Sequence, residues 1–176
     1  MKVVTAIEEY ERKSGDIFCF LAGGITDCAE WQDAVIEKLQ EKSSELEHLV
    51  VFNPRRKDFP INDPHAAEEQ IDWEFRYLEQ ADIFSMYFAH SEKSVQPICM
   101  YELGRNIARM QMRHPNSFLN RLVIGCEEDY SRKNDVVIQS SLAIGMDRVN
   151  DDTNPFDHAD SIIWCYKKLK GEVTRG

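Results

Sequence analysis

Residues Ile17-Phe18-Cys19-Phe20-Leu21-Ala22 form an unbroken apolar run with no polar alternation. A strand with one wet face alternates, whereas one covered on both faces does not, so this run calls for a central place in a parallel sheet. Three further runs read as strands: Leu49-Val50-Val51-Phe52, Ile83 to Phe88, and Leu122 to Cys126. Helical patterns fall between and after them. Asp27-Cys28-Ala29-Glu30 has capping-box spacing for a helix reaching about Lys42, with Trp31, Val35 and Leu39 facing the core. A second helix is expected from about His65 to Gln80, with Ala67, Ile71, Phe75 and Leu78 as its apolar face. A third is opened by Pro97 and runs to about Met112 on a stripe of Met100, Leu103, Ile107 and Met110. Helices around Val136 to Ala143 and from Asn154 or Pro155 to Leu169 follow, the latter carrying Ile162, Ile163, Tyr166 and Leu169. A short extended piece is expected near Met146 to Val149. Residues 1 to 15 read as an edge strand or an N-terminal extension. Strand and helix alternate, so the expected fold is α/β: one domain over residues 1–176, an open, flavodoxin-like (Rossmann-like) parallel sheet of about five strands with helices on both faces.

A net charge of -10 argues against a nucleic-acid polymer as partner, because its phosphates require a basic stripe. A small anionic ligand needs only a local patch. The longest apolar run, Ile17 to Ile25, is far short of the ~20 residues of a membrane helix. Cys19, Cys28, Cys99, Cys126 and Cys165 are odd in number and mostly lie in apolar runs, the pattern of free thiols in a reducing cytosol. No CxxC pair occurs and the five histidines are scattered, so neither a metal nor a cofactor is expected. The expectation is a soluble cytoplasmic protein.

Open parallel sheets bind ligands at the carboxyl ends of their strands, where strand order reverses. The Gly23-Gly24 turn, the Asn53-Pro54-Arg55-Arg56 loop and the loop before Pro97 all emerge there. Two carboxylates stand out. Glu102 lies inside the Pro97 helix and has the chemistry of a nucleophile for an electrophilic carbon. It equally fits a surface partner of Arg105 and Asn106 at i+3 and i+4. Glu74 falls between Ile71 and Leu78 on the expected apolar row, with Gln70 as its nearest local partner. Desolvation would favour its protonated form, suited to donating a proton to a leaving group. A satisfied structural carboxylate is the plain alternative. Trp73 and Tyr77 read as packing, and His90 and Cys99 as bystanders.

Five pieces in order, Phe20-Leu21-Ala22-Gly23-Gly24-Ile25, Phe52-Asn53-Pro54-Arg55-Arg56, Glu69-Gln70-Ile71-Asp72-Trp73-Glu74, Leu78-Glu79-Gln80-Ala81-Asp82 and Tyr101-Glu102-Leu103-Gly104, resemble the nucleoside 2-deoxyribosyltransferase-like superfamily. They look most like its branch carrying Asn-Pro-Arg-Arg and Trp-Glu. The resemblance implies cleavage or transfer at the N-glycosidic bond of a nucleoside or nucleotide. Glu102 matches the glutamate that attacks the anomeric carbon, and Glu74 the acidic residue that contacts the base. Substrate contacts are expected from Phe20, Gly23, Gly24, Asn53, Arg55, Arg56 and Gln96, and the resemblance implies a homo-oligomer whose neighbouring subunit completes the site.

Two positions depart from the pattern. Phe20 stands where a tyrosine is usual, and Gly24 and Gln96 stand where nucleotide-cleaving relatives carry phosphate-binding serines. Arg55 or Arg56 is the alternative phosphate ligand. Phe20 keeps open a nucleotide-binding or sensing module without turnover, and cleavage of NAD or another nucleotide signal is a third reading.

Overall fold

The computed structural model describes residues 1–60, 62–145 and 152–171. Five parallel strands form one open sheet in the order β1-β3-β2-β4-β5. They are β1 (Lys2–Thr5), β2 (Ile17–Gly23), β3 (Leu49–Asn53), β4 (Ile83–Phe88) and β5 (Leu122–Cys126). The helices are α1 (Trp31–Glu41), α2 (Ala66–Gln80), α3 (Pro97–Arg113), α4 (Lys133–Ile144) and α5 (Pro155–Lys170). The run Ile17–Ala22 is central and buried throughout. Phe18, Phe20 and Ala22 pack in the core under α2, α3 and α4, while Ile17, Cys19 and Leu21 pack with α1 and α5. Residues 2–5 form the edge strand, paired in parallel with β3. The extended piece expected near Met146 to Val149 lies outside the described residues.

Strand order reverses between β2 and β4. β2 leads to β3 on one side, and the next strand, β4, lies on the other side of β2. At that point Gly23 is opposite Tyr87. A β-carbon on Gly23, whose φ is +150°, would lie 2.2 Å from the Tyr87 carbonyl oxygen and 2.7 Å from the Trp31 ring. Only glycine fits there.

Two local expectations fail for physical reasons. The capping box does not form: Asp27 adopts φ +57°, and its carboxylate takes an ion pair from Lys93 Nζ at 2.7 Å. α1 therefore starts at Trp31 with no side-chain cap. The apolar face of α2 is also rotated. Ala67, Ile71 and Phe75 are exposed, and the helix buries Ala66, Trp73, Tyr77 and Leu78 instead. The large rings win because they gain stacking and satisfied polar tips together. Tyr77 stacks on Phe52 at 4.2 Å and receives the Tyr10 N–H at 2.7 Å, and Trp73 Nε1 donates to the Glu8 carbonyl at 2.7 Å. The segment before β2 thus fixes which face of α2 looks inward.

α5 is fastened to the sheet by a sealed polar chain. Ser85 Oγ lies 2.7 Å from His158 Nε2, and His158 Nδ1 lies 3.3 Å from Asp152 Oδ2. Asp152 Oδ1 accepts from Ser161 Oγ at 2.7 Å. This has the residue types of a hydrolytic triad, but Ser85 and His158 are both 0 % exposed, so no substrate reaches them. Its work is structural. Ser85→Ala leaves His158 facing a methyl group and should lower stability by about 1–3 kcal/mol in urea unfolding, with the fold unchanged.

Candidate active site

The reversal point gathers four segments: the end of β2, the loop after it, the start of α3 and the middle of α2. Gln96 is the hinge. It is 5 % exposed and sits in the left-handed region at φ +49°, an uncommon conformation for a residue with a β-carbon. Its side chain makes no cap to α3 and turns inward. Nε2 donates to the Ala89 carbonyl at 2.6 Å and approaches Cys28 Sγ at 3.7 Å, while Oε1 is buried without a hydrogen bond. Gly24 lies directly against this group: a β-carbon there would be 2.5 Å from the Gln96 carboxamide and 2.8 Å from Cys28 Sγ. Protein packing thus accounts for both glycines, Gly23 against Tyr87 and Gly24 against Gln96.

One and two turns into α3, Cys99 is buried and Glu102 half-buried. Burial pushes the Glu102 carboxyl up, the nearby Glu74 carboxylate pushes it further, and Arg105 pulls it back, leaving it at about 7. Glu74 is also half-buried and its pKa is raised by desolvation, against a hydrogen bond from Gln70 that lowers it. That bond, from Gln70 Nε2 to Glu74 Oε1, is 2.9 Å long, and the same nitrogen lies 2.9 Å from the Pro54 carbonyl. Gln70 therefore ties Glu74 to the loop after β3. The Cys99 thiol is pushed up to about 12, first by burial and then by Glu102. Cys99, read as a bystander, lies within the field of Glu102 and Glu74, which no spacing in the sequence carries; Cys28 instead packs against Gln96 and Gly24.

The remaining candidates are placed differently. Arg55 is engaged by protein: Nε donates to Gln32 Oε1 and Nη2 to the Ala29 carbonyl, both at 2.9 Å. Asn53 is 5 % exposed and receives the Arg55 N–H on Oδ1 at 3.0 Å. Together they hold the loop after β2. Arg56 lies 5.5 Å over the Phe59 ring. Arg55, Arg56 and Asn53 line a separate hollow with Thr5, Glu8 and Asp33, and Glu102 is not in its wall. Phe20 is buried with its ring 5.9 Å from Trp73. Among the described residues, no group of three or more His, Cys, Asp or Glu side chains is placed to hold a metal ion, and no helix is long and apolar enough to cross a membrane.

The reversal point of an open parallel sheet is where α/β proteins of this kind bind small ligands, and here two half-buried carboxyls lie beside it. Residues 17–114, more than half of the chain, match the family described as nucleoside 2-deoxyribosyltransferase like, and the chain belongs to that family. No curated protein matches it.

The Glu102 value has a consequence for stability. It lies above the ordinary 4.5, so the protonated form favours the fold. That contribution is complete below about 4.5 and is lost as pH rises through about 7. Glu102→Gln should remove this decline and leave the variant more stable than the parent at pH 8 by roughly 1–3 kcal/mol in urea melts, with little difference at pH 4.

Proposed function

We propose that the protein cleaves or transfers the glycosyl group of a nucleoside or nucleotide, with Glu102 as nucleophile. The observation that carries the reading is the pairing of Glu102 with Glu74 at the reversal point of the sheet, within the stretch that matches the family. A Glu102 carboxylate oxygen bonds to the anomeric carbon as the C–N bond breaks, and the bond's electron pair leaves on the base nitrogen. A protonated Glu74 supplies the proton that this nitrogen takes up. Water or a second base then attacks the glycosyl ester and gives a proton back to Glu74, releasing sugar or a new nucleoside and restoring both carboxyls.

The two carboxyls titrate as a coupled pair, and attack requires the proton to be off Glu102. The reactive form of the pair carries one proton, on Glu74, so base release should be bell-shaped in pH and fall as pH rises through about 7, where that last proton leaves. Glu74→Gln removes the second titrating group, so its profile should lose the alkaline limb and only rise with pH as Glu102 ionises. Its maximal rate should fall by about 10²-fold or more as the donor is lost. Glu102→Gln should lose at least about 10³-fold. The assay incubates nucleosides, deoxynucleosides, their monophosphates and NAD with and without a free second base, and follows released base, exchanged nucleoside and protein adduct by mass spectrometry. Exchange identifies a transferase and release alone a hydrolase. Ligand binding without any release identifies a sensing module, the reading favoured by Phe20, which brings no hydroxyl to the site. Full activity in Glu102→Gln would sink the nucleophile assignment.

We further read the working form as a homo-oligomer in a reducing cytosol, where the five free thiols persist. Ile71 and Phe75 on α2 and Ile98 and Tyr101 on α3 are 52–67 % exposed and flank the two carboxylates. Phe75 meets Arg105 of α3 at 4.4 Å, which joins the two apolar rows. A second copy seated there would dry the site. Ile98→Asp with Tyr101→Asp should shift the protein toward monomer in sedimentation velocity and reduce base release in parallel.

A further inference from the structure

Gln70 lies one turn before Glu74 on α2, and its carboxamide nitrogen serves two acceptors. Nε2 donates to Glu74 Oε1 and to the Pro54 carbonyl, each at 2.9 Å, with one hydrogen for each. The Pro54 carbonyl accepts in every protonation state of the site, so it holds the amide with its nitrogen toward Glu74. Turning the amide over would set Gln70 Oε1 against that carbonyl, acceptor against acceptor. Pro54 is anchored in turn by its neighbours. Asn53 Oδ1 accepts the Arg55 N–H at 3.0 Å, and Arg55 Nε donates to the fully buried Gln32 at 2.9 Å.

The two oxygens of Glu74 are therefore not equivalent. Oε1 faces an N–H, which can only donate. The carbonyl-type oxygen of a carboxylic acid is its better acceptor, so the acid proton settles on Oε2. Among the described residues no group bonds Oε2, and it is not sealed. The arrangement carries a cost that packing does not explain, because Gln70 Oε1 is buried without a hydrogen bond. The titratable groups that face this carboxyl come from α3: Glu102, which repels its charge, and the Cys99 thiol. Arg105, on the same helix, acts on Glu102.

We propose that Gln70 is a positioning residue that keeps the acid proton of Glu74 on Oε2, the oxygen open to a ligand, and that the Pro54 carbonyl sets this choice. Its use rests on the glycosyl-transfer reading, because the proton on Oε2 is the one that the departing base nitrogen takes up. The hydrogen bond to Oε1 favours the ionised carboxyl. Gln70 thus loosens the proton while fixing its direction.

One arm of the test needs no turnover. Carbon-13 NMR of the side-chain carboxyls follows Glu74 in a Glu102→Gln background, with Glu74→Gln in the same background assigning its resonance. Gln70→Leu should raise the Glu74 midpoint by about half a pH unit or more. Gln70→Glu places a like charge beside Glu74 and should raise it further; it keeps the side-chain length, so it reads the same effect if Gln70→Leu does not fold. The other arm is base release by the full chain. In Gln70→Leu, kcat should fall at least about tenfold with KM within about twofold of the parent, and the alkaline limb should move to higher pH. A fall in kcat with the limb unmoved is a packing effect and overturns the proposal. So does an unchanged Glu74 midpoint in both variants, or a kcat within about twofold of the parent in Gln70→Leu. If the parent releases no base from any nucleoside while the midpoint still shifts, the glycosyl-transfer reading fails and the placement of the proton by Gln70 stands.

Discussion

Taking Glu102 partly out of water makes its charge expensive, and placing Glu74 within its field makes it more so. Two contacts offset that cost: Gln70 donates to Glu74, and Arg105 draws the proton away from Glu102. A carboxyl poised near neutrality cannot exist on an exposed helix face, where water would hold it near its ordinary value. Gly24 lets the Gln96 side chain, at the start of α3, pack against the loop after β2, while Gly23 lets β2 approach Tyr87 and Trp31.

α3 carries two opposite electrostatic tasks along one helix. Its first turns hold an acid that burial keeps partly neutral, and its later turns hold arginines that outnumber their carboxylate. Arg105 belongs to both, lowering Glu102 on one side and contacting Glu79 on the other. The arginine cluster is therefore coupled to Glu102 through the Arg105 side chain.

Much of this was legible from the chain. The unbroken run Ile17–Ala22 placed β2 at the sheet centre, and alternation of strand and helix gave the open parallel fold. Gln70 was named as the partner of Glu74, and the hydrogen bond is present. The face of α2 was not legible, because two apolar rows competed. Ile71 with Phe75 and Trp73 with Tyr77 both satisfy helical spacing, and the choice rests on Glu8 and Tyr10, more than sixty residues away. Asp27 had cap spacing, but Lys93 claims its carboxylate. Arg55 has the composition of a phosphate ligand, yet its Nε donates to Gln32 and its Nη2 to the Ala29 carbonyl.

The sequence by itself determined which elements form and in what order, since these follow from local periodicity and from the need to cover both faces of an apolar strand. It also determined the family through its ordered motifs. Only the tertiary structure decided what the side chains at the reversal point do. Hydrogen-bond ownership is a competition between groups distant in the chain, and a carboxyl's pKa depends on the water and charge around it. Neither quantity is a property of a residue's neighbours in sequence. That is why Glu102 could be named from its motif, while its value near neutrality and the Cys99 thiol within its field became visible only in three dimensions.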